Sequence, residues 1–308
     1  MKNILTFIFC LLFAPTLFAQ QSPLLSHYMF NGLLLNPAYA GSKEFVSATM
    51  LYRKQWAGID GAPVTYSGSI HGLLKKKKLG LGFYLQQDKI GVTSQTDAYA
   101  TTAYHISTGG TGNLSVGLQF GISNFSSEVV KLTYWDPGDK VFDYNTFSNV
   151  LPNAGLGIYY YSNLFYAGIS SPFIISYNPN ENSSIDPSVP LHRMDRRIYA
   201  TVGGVIETER DIKFKPSLLI RAEGKTDMEY DLNLNILIDD IFWIGASYRS
   251  TNSIVALFEY QVSRKFRLGY SYDYTLGDLG NYNSGSHEVM LGYDFGYPSV
   301  KMKSPRYF

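Results

Sequence analysis

The chain has 308 residues, 45% hydrophobic and 17% charged, with 25 Tyr, 19 Phe, 28 Gly, one Cys and a formal net charge of +1. Near-neutrality supplies no concentrated basic face for nucleic acid. The weight of aromatics and glycine favours strands and turns over helices, and a lone cysteine excludes an internal disulfide framework.

Lys2, the apolar run from Ile4 to Phe13 and the end Leu17-Phe18-Ala19 read as an export signal cleaved before Gln20. Residues 1–19 are therefore set outside the fold. Cys10 lies within them, flanked by Phe-Ile-Phe and Leu, a poor lipidation site, so the mature chain is expected to carry no thiol. Residues 20–44 follow as an N-terminal segment expected on the periplasmic side, packed in the lower lumen or on the rim of whatever comes next. Tyr28, Phe30, Leu33, Leu34, Leu35 and Tyr39 are its candidate packing residues. A polar tether for a partner is the other reading of that segment.

After residue 19 no stretch approaches the roughly 18 consecutive apolar residues of a spanning helix. Passage through a membrane would then need strands closed on themselves, because lipid offers the backbone no hydrogen-bond partners. Segments that alternate apolar with polar or tiny residues recur fourteen times, at 45–56, 63–74, 79–87, 95–106, 113–124, 152–161, 164–171, 195–207, 212–223, 227–238, 241–250, 253–262, 265–275 and 285–296. In the fifth, Leu114, Val116, Leu118, Phe120 and Ile122 oppose Ser115, Gly117, Gln119, Gly121 and Ser123. In the last, His287, Val289, Leu291, Tyr293 and Phe295 oppose Ser286, Glu288, Met290, Gly292 and Asp294. The fold class predicted is all-β, a membrane-spanning antiparallel up-and-down barrel of about 14 strands over 45–296, with a periplasmic tail at 297–308.

The connections divide by length. Every second one, from Lys75–Lys78 to Ser263-Arg264, is short, whereas 57–62, 88–94, 125–151, 172–194 and 276–284 fall in the opposite set. Exported barrels keep short turns in the periplasm and longer loops outside, which orients the chain.

Few residues offer chemistry. Gly80-Leu81-Gly82 and Gly155-Leu156-Gly157 lack the strand-to-helix setting of a nucleotide loop. His27, His71, His105, His192 and His287 have no close metal-ligand spacing. Asp136, Asp139 and Asp143 could supply oxygens to a hard cation or be plain solvated acids. Lys75–Lys78 reads as a solvated turn or an anionic-headgroup contact. The inward charges Arg53, Arg221, Glu223, Glu229, Asp231, Arg249, Glu259, Arg267, Asp273 and Glu288 interleave both signs, which favours an internal ion-pair lattice over a solute pathway. Rings near segment ends, such as Tyr52, Trp56, Tyr159–Tyr161 and Tyr270–Tyr274, suit the headgroup boundary or ordinary strand filling. No nucleophile and base pair emerges, so no enzyme, catalytic residue, metal or cofactor is expected.

Leu35-Asn36-Pro37-Ala38-Tyr39-Ala40-Gly41, Tyr52-Arg53-Lys54-Gln55-Trp56, Gly61-Ala62-Pro63, the closing Ser286–Tyr293 and the tail Ser304–Phe308 resemble the PorP/SprF family of Bacteroidota outer-membrane proteins. The resemblance implies outer-membrane residence among lipids, a role in type IX secretion and gliding motility, and work with a secreted adhesin or other cargo bearing a C-terminal signal domain. It also implies periplasmic lipoprotein or peptidoglycan-binding partners. The candidate cargo dock is the pair of long outer loops, with Phe125, Tyr134, Trp135, Phe142, Tyr144, Phe147, Phe173 and Tyr177 as aromatic anchors or as an inward plug. A solute channel and a soluble glycan-binding sandwich remain as other classes.

Overall fold

A computed structural model describes residues 25–43, 45–74, 78–128, 147–177, 194–209, 211–224 and 228–296. The export signal, the tail, His192, most of Lys75–Lys78, Asp136, Asp139, Asp143, Tyr134, Trp135, Phe142, Tyr144 and the side chain of Phe147 lie outside the described residues.

The chain forms a closed antiparallel barrel of fourteen strands. They are β1 (Val46–Lys54), β2 (Val64–Leu74), β3 (Leu79–Ile90), β4 (Thr93–Gly109), β5 (Gly112–Ser127), β6 (Phe147–Tyr161) and β7 (Phe165–Phe173). Then come β8 (Arg197–Gly204, resumed at Ile206–Glu207), β9 (Ile212–Glu223), β10 (Glu229–Ile238), β11 (Phe242–Arg249), β12 (Ser253–Gln261), β13 (Phe266–Thr275) and β14 (Ser286–Phe295). Each strand pairs with its sequence neighbours. The ring closes where β1 meets β14, from Val46 opposite Phe295 to Lys54 opposite His287. No described helix is long and apolar enough to cross a membrane.

The period-2 pattern sorts side chains as the lanes require. Val116, Leu118, Phe120 and Ile122 are exposed on the outer wall of β5, while Ser115, Gln119 and Ser123 are buried inside. Exposed rings gather at both ends of the wall. Tyr52 packs on Tyr66 at one end, and Phe242 stacks on Tyr260 and Tyr293 meets Phe295 at the other. Rings of this kind suit the two headgroup levels, apolar on one side and wet on the other. Tyr159 and Tyr161 instead turn into the lumen, where both are buried.

Three boundaries differ from the pattern-based ones. The stretch 88–94 is mostly strand: β3 and β4 stay paired as far as Ile90 opposite Thr93, leaving only Gly91 and Val92 to turn. Likewise β5 and β6 continue to Ser127 opposite Phe147, shortening the 125–151 connection. Strand 195–207 is broken at Val205, whose side chain is buried; on β9 the break faces Lys215 and Pro216, and proline has no N–H for the ladder.

Candidate functional site: a lumen filled by the chain's own N-terminal segment

The barrel is filled from within. Leu25–Lys43 lies inside the ring in three short 3-10 turns, Ser26–Phe30, Gly32–Leu34 and Pro37–Tyr39. Leu33, Ala38 and Ala40 have no exposed surface. Two mouths can be told apart: one where β1 begins and the short turns lie, the other where β1 ends and the long connections 128–146 and 174–196 lie.

The first part of the segment is held by charge. Ser26 N–H and His27 N–H each donate to the Glu288 carboxylate at 2.7 Å, and His27 Nδ1 reaches the same group at 2.7 Å. Arg53 completes the nest, with Nη2 2.5 Å from Asp273 Oδ2 and Nη1 3.0 Å from Ser26 Oγ, whose own hydroxyl donates to Asp273 at 2.9 Å. Arg249 extends it, bonding Asp231 at 3.1 Å and Asp273 at 3.2 Å. Arg197 with Glu223, Arg221 with Glu229, and Arg267 with Glu259 and Asp294 continue ion pairing around the lumen. Charges so deeply buried are tolerable because they are paired and hydrogen-bonded, and removal of one partner would strand the other.

Below that nest the contact turns apolar. Tyr28, Met29, Phe30 and Leu35 pack with inward-facing Leu51, Leu219, Leu237, Trp243, Leu257 and Met290. Phe30 meets the edge of Trp243 at 5.6 Å, and Lys215 Nζ sits 5.1 Å from the Phe30 ring while donating to the Met29 carbonyl at 3.3 Å. These inner-lane apolar residues escape a reading that treats the inner lane as polar. Their signal was available: large apolar side chains on the lane that faces the interior require an apolar occupant.

The second part is held by shape. Asn36 caps the turn, its side chain accepting from Ala38 N–H at 2.9 Å and donating to the Ile158 carbonyl at 3.0 Å, with Pro37 at the first helical position where no N–H is needed. Gly41 has φ +79°, which glycine alone adopts without strain. Against this stretch the inner lane carries glycines. A Cβ on Gly117 would lie 2.3 Å from Ala38 N, on Gly157 2.1 Å from Asn36 Oδ1, and on Gly80 1.9 Å from the Ala40 carbonyl oxygen. The Asn-Pro-Ala-Tyr-Ala-Gly stretch and the strand glycines are thus one feature, a backbone laid in a track with no side chains. Ser115 Oγ donates to the Ala38 carbonyl at 2.6 Å and Ser170 Oγ to the Leu35 carbonyl at 2.7 Å. His105 Nε2 lies 2.8 Å from the Ala40 carbonyl, an acceptor only, so that nitrogen carries the proton and Nδ1 accepts from Tyr161 at 3.0 Å. At the exit Lys43 donates to Ser47 at 3.3 Å; burial, with help from Arg267, lowers its ammonium to about 8.

Of the candidate residues, Tyr28, Phe30, Leu33, Leu35 and Tyr39 are buried in the lumen, and Leu34 is partly buried against Tyr84, Tyr99, Leu151, Phe173 and Met194. Phe173 is buried too, under the Arg197 guanidinium at 4.6 Å and against Tyr99, and it lines the lumen in this conformation. Tyr177 bridges to Met194 beyond the end of β7 and donates its hydroxyl to the Pro152 carbonyl, and Phe125 is half-buried on β5. The histidines do not form one cluster: His27 lies in the Glu288 nest, His71 and His105 both reach the Ala40–Gly41 backbone, with His71 Nδ1 accepting from Gly41 N–H at 3.1 Å, and His287 bonds Tyr270 on the outside.

A family model described as type IX secretion system membrane protein PorP/SprF matches residues 17–293. The chain belongs to the PorP/SprF family. It is an outer-membrane component of the type IX secretion system, and the barrel is how it sits in that membrane. No curated relative matches it in sequence. Among solved structures it is similar to the Acinetobacter baumannii outer membrane protein Omp33 at 7% identity and TM-score 0.45, covering 83% of this chain and 100% of that one. It is also similar to a KdgM porin (8% identity, TM-score 0.40, 81% and 99% covered) and to a mutant Rh. blastica porin (8%, 0.36, 82% and 99%).

Proposed function

We propose that this PorP/SprF member is a closed scaffold, without catalysis of its own, that helps deliver or retain a secreted adhesin or other cargo at the cell surface, the cargo engaging it through its C-terminal signal domain. The observation that carries the reading is the filled lumen. With the interior occupied by residues 25–43 and tied by ion pairs, the surfaces left for macromolecular partners are the two mouths. On this reading the long-loop mouth forms the cargo dock, with Tyr134, Trp135, Phe142 and Tyr144 from the loop, Tyr177 beyond β7 and the strand-end residues Phe125 and Phe147, while Phe173 lies buried beneath, since loops on a rigid barrel vary without loss of strand pairing. The short-turn mouth faces a periplasmic lipoprotein or peptidoglycan-binding partner.

Deletion of 130–146, with barrel assembly verified by heat-modifiable gel mobility, should abolish retention of cargo on intact cells. Normal surface display in that mutant would reject the dock.

A further inference from the structure

We infer that the outer wall carries a seat for one membrane lipid, with an acyl chain laid in a furrow across β8–β12 and an anionic headgroup held by basic residues at the long-loop rim. The cross-strand registers carry this. On the outward lane Pro216 pairs with Leu234, Leu234 with Ala246 and Ala246 with Ala256. Gly204, next to the Gly203–Ser217 pair, adds one more short residue beside Pro216. Only Leu234 rises from this row. The rows on either side are tall: Leu218, Leu232, Tyr248 and Ile254 oppose one another along one flank, and Phe214, Ile236, Ile244 and Phe258 along the other. A low row between two high ones is a furrow, and about 700 Å³ of space lies over Pro216, Leu234 and Ala246, between Phe165 and Ile254.

The furrow has length and direction. From Gly204 to Ala256 it crosses four strand spacings, ~19 Å, against ~15 Å for the hydrocarbon of one leaflet. It begins at the short-turn rim, where Gly204 pairs with Phe165, the first residue of β7. From there it climbs toward the other rim, because barrel strands are tilted and staggered. At that rim the same row changes chemistry. Ala256 pairs with Tyr272, Tyr272 with His287, His287 with Lys54, and Lys54 with Val64, which faces Lys89. The Tyr270 hydroxyl lies 2.8 Å from His287 Nδ1 and the Tyr272 ring 5.2 Å from the imidazole, which fixes that ring on the outer face. Lys54 and Lys89 are exposed and stand two strand spacings apart, ~10 Å, with no carboxylate in the row. Apolar contact alone gives no preference over bulk lipid, whose tails are as apolar as the wall. Selection comes from the shape of the furrow and from the two lysines, which attract a phosphate-bearing headgroup. The assignment holds whichever way the barrel is oriented.

The test uses the folded protein purified from outer membranes and delipidated in detergent, with bound lipid counted by native mass spectrometry. The probes are dioleoyl phosphatidylglycerol, phosphatidylcholine with the same chains, and inorganic phosphate. One phosphatidylglycerol per barrel is expected, bound about tenfold more tightly than phosphatidylcholine and not displaced by excess phosphate. Lys54→Gln combined with Lys89→Gln should make the two lipids bind alike. Ala246→Leu combined with Ala256→Leu should weaken both about tenfold, whereas Ala100→Leu, at an exposed alanine of β4 away from the furrow, should change neither. Assembly of each variant is checked by heat-modifiable mobility, and Ala246→Val with Ala256→Val replaces the leucine pair if that pair assembles poorly. Equal binding of the two lipids by the parent, or parental binding in either double variant, overturns the seat. Displacement by phosphate would overturn it too, as the mark of an anion site without a lipid. So would a dimer that the alanine variants disperse, as the mark of a contact between two copies of the chain.

Discussion

Replacing Gly80 by alanine isolates the fit between the wall and its occupant. The added Cβ would lie 1.9 Å from the Ala40 carbonyl oxygen, 2.6 Å from its carbon and 2.9 Å from His105 Nε2. Two of these neighbours are backbone and cannot rotate away, so the segment must lift and the 2.8 Å bond from His105 to the Ala40 carbonyl is lost. Overpacking of this kind costs about 1–3 kcal/mol and the net loss of one hydrogen bond about 1 kcal/mol, giving about 2–4 kcal/mol against docking of residues 36–43. The barrel's own strand pairing is untouched, so the loss should emerge as local opening. At 1.4 kcal/mol per tenfold, amides of 36–43 should exchange with deuterium about 30- to 1,000-fold faster, while those of β9–β13 keep their rates. Gly68→Ala is the control: its Cβ meets nothing within 4 Å. Exchange at 36–43 within threefold of the parent in Gly80→Ala would refute the packing argument.

Arg53→Met takes a guanidinium from Asp273 and Glu288, both buried, leaving Asp273 to Arg249 and Glu288 to His27, and should destabilise the folded protein by up to about 3 kcal/mol, read as a lower urea midpoint in detergent micelles. Glu288→Gln keeps an acceptor for Ser26 and His27 and should cost less than Arg53→Met; equal losses would contradict the nest as described. For Lys43 the folded value of about 8 lies below the ordinary 10.5, so between these pH values the unfolded chain holds a proton that the folded one has released. Stability therefore rises from pH 8 toward 10.5, by up to about 3 kcal/mol, and the rise should vanish in Lys43→Met; a parallel pH profile in the two proteins would count against the burial of this ammonium.

The strands were legible because a wall between lipid and a polar interior imposes a two-residue period, which the strands keep except where β7 shifts register between Ser170 and Phe173 and β8 breaks at Val205. Boundaries were legible only within the lipid band. Asp88, Lys89 and Ser94 read as loop because they are polar, yet they pair across β3 and β4, as strand residues do when the ladder continues into water. The charged lattice was visible in the alternation of signs on the inner lane, but its tie to Ser26 and His27 was not, since the partners lie about 260 residues apart in sequence. On the inner lane Gly80 and Gly117 make room for another stretch of backbone, and Gly157 for the Asn36 side chain. That role depends on a tertiary contact, to which a local pattern is blind.

Electrical conductance of single barrels in planar bilayers tests the filled lumen most directly. The full mature protein should show no stable ion-conducting steps, whereas a variant lacking residues 22–43, confirmed as folded by its heat-modifiable mobility, should conduct in steps of uniform size. Steady large steps from the intact protein, or equal silence from the truncated and folded one, would contradict a barrel sealed by its own N-terminal segment.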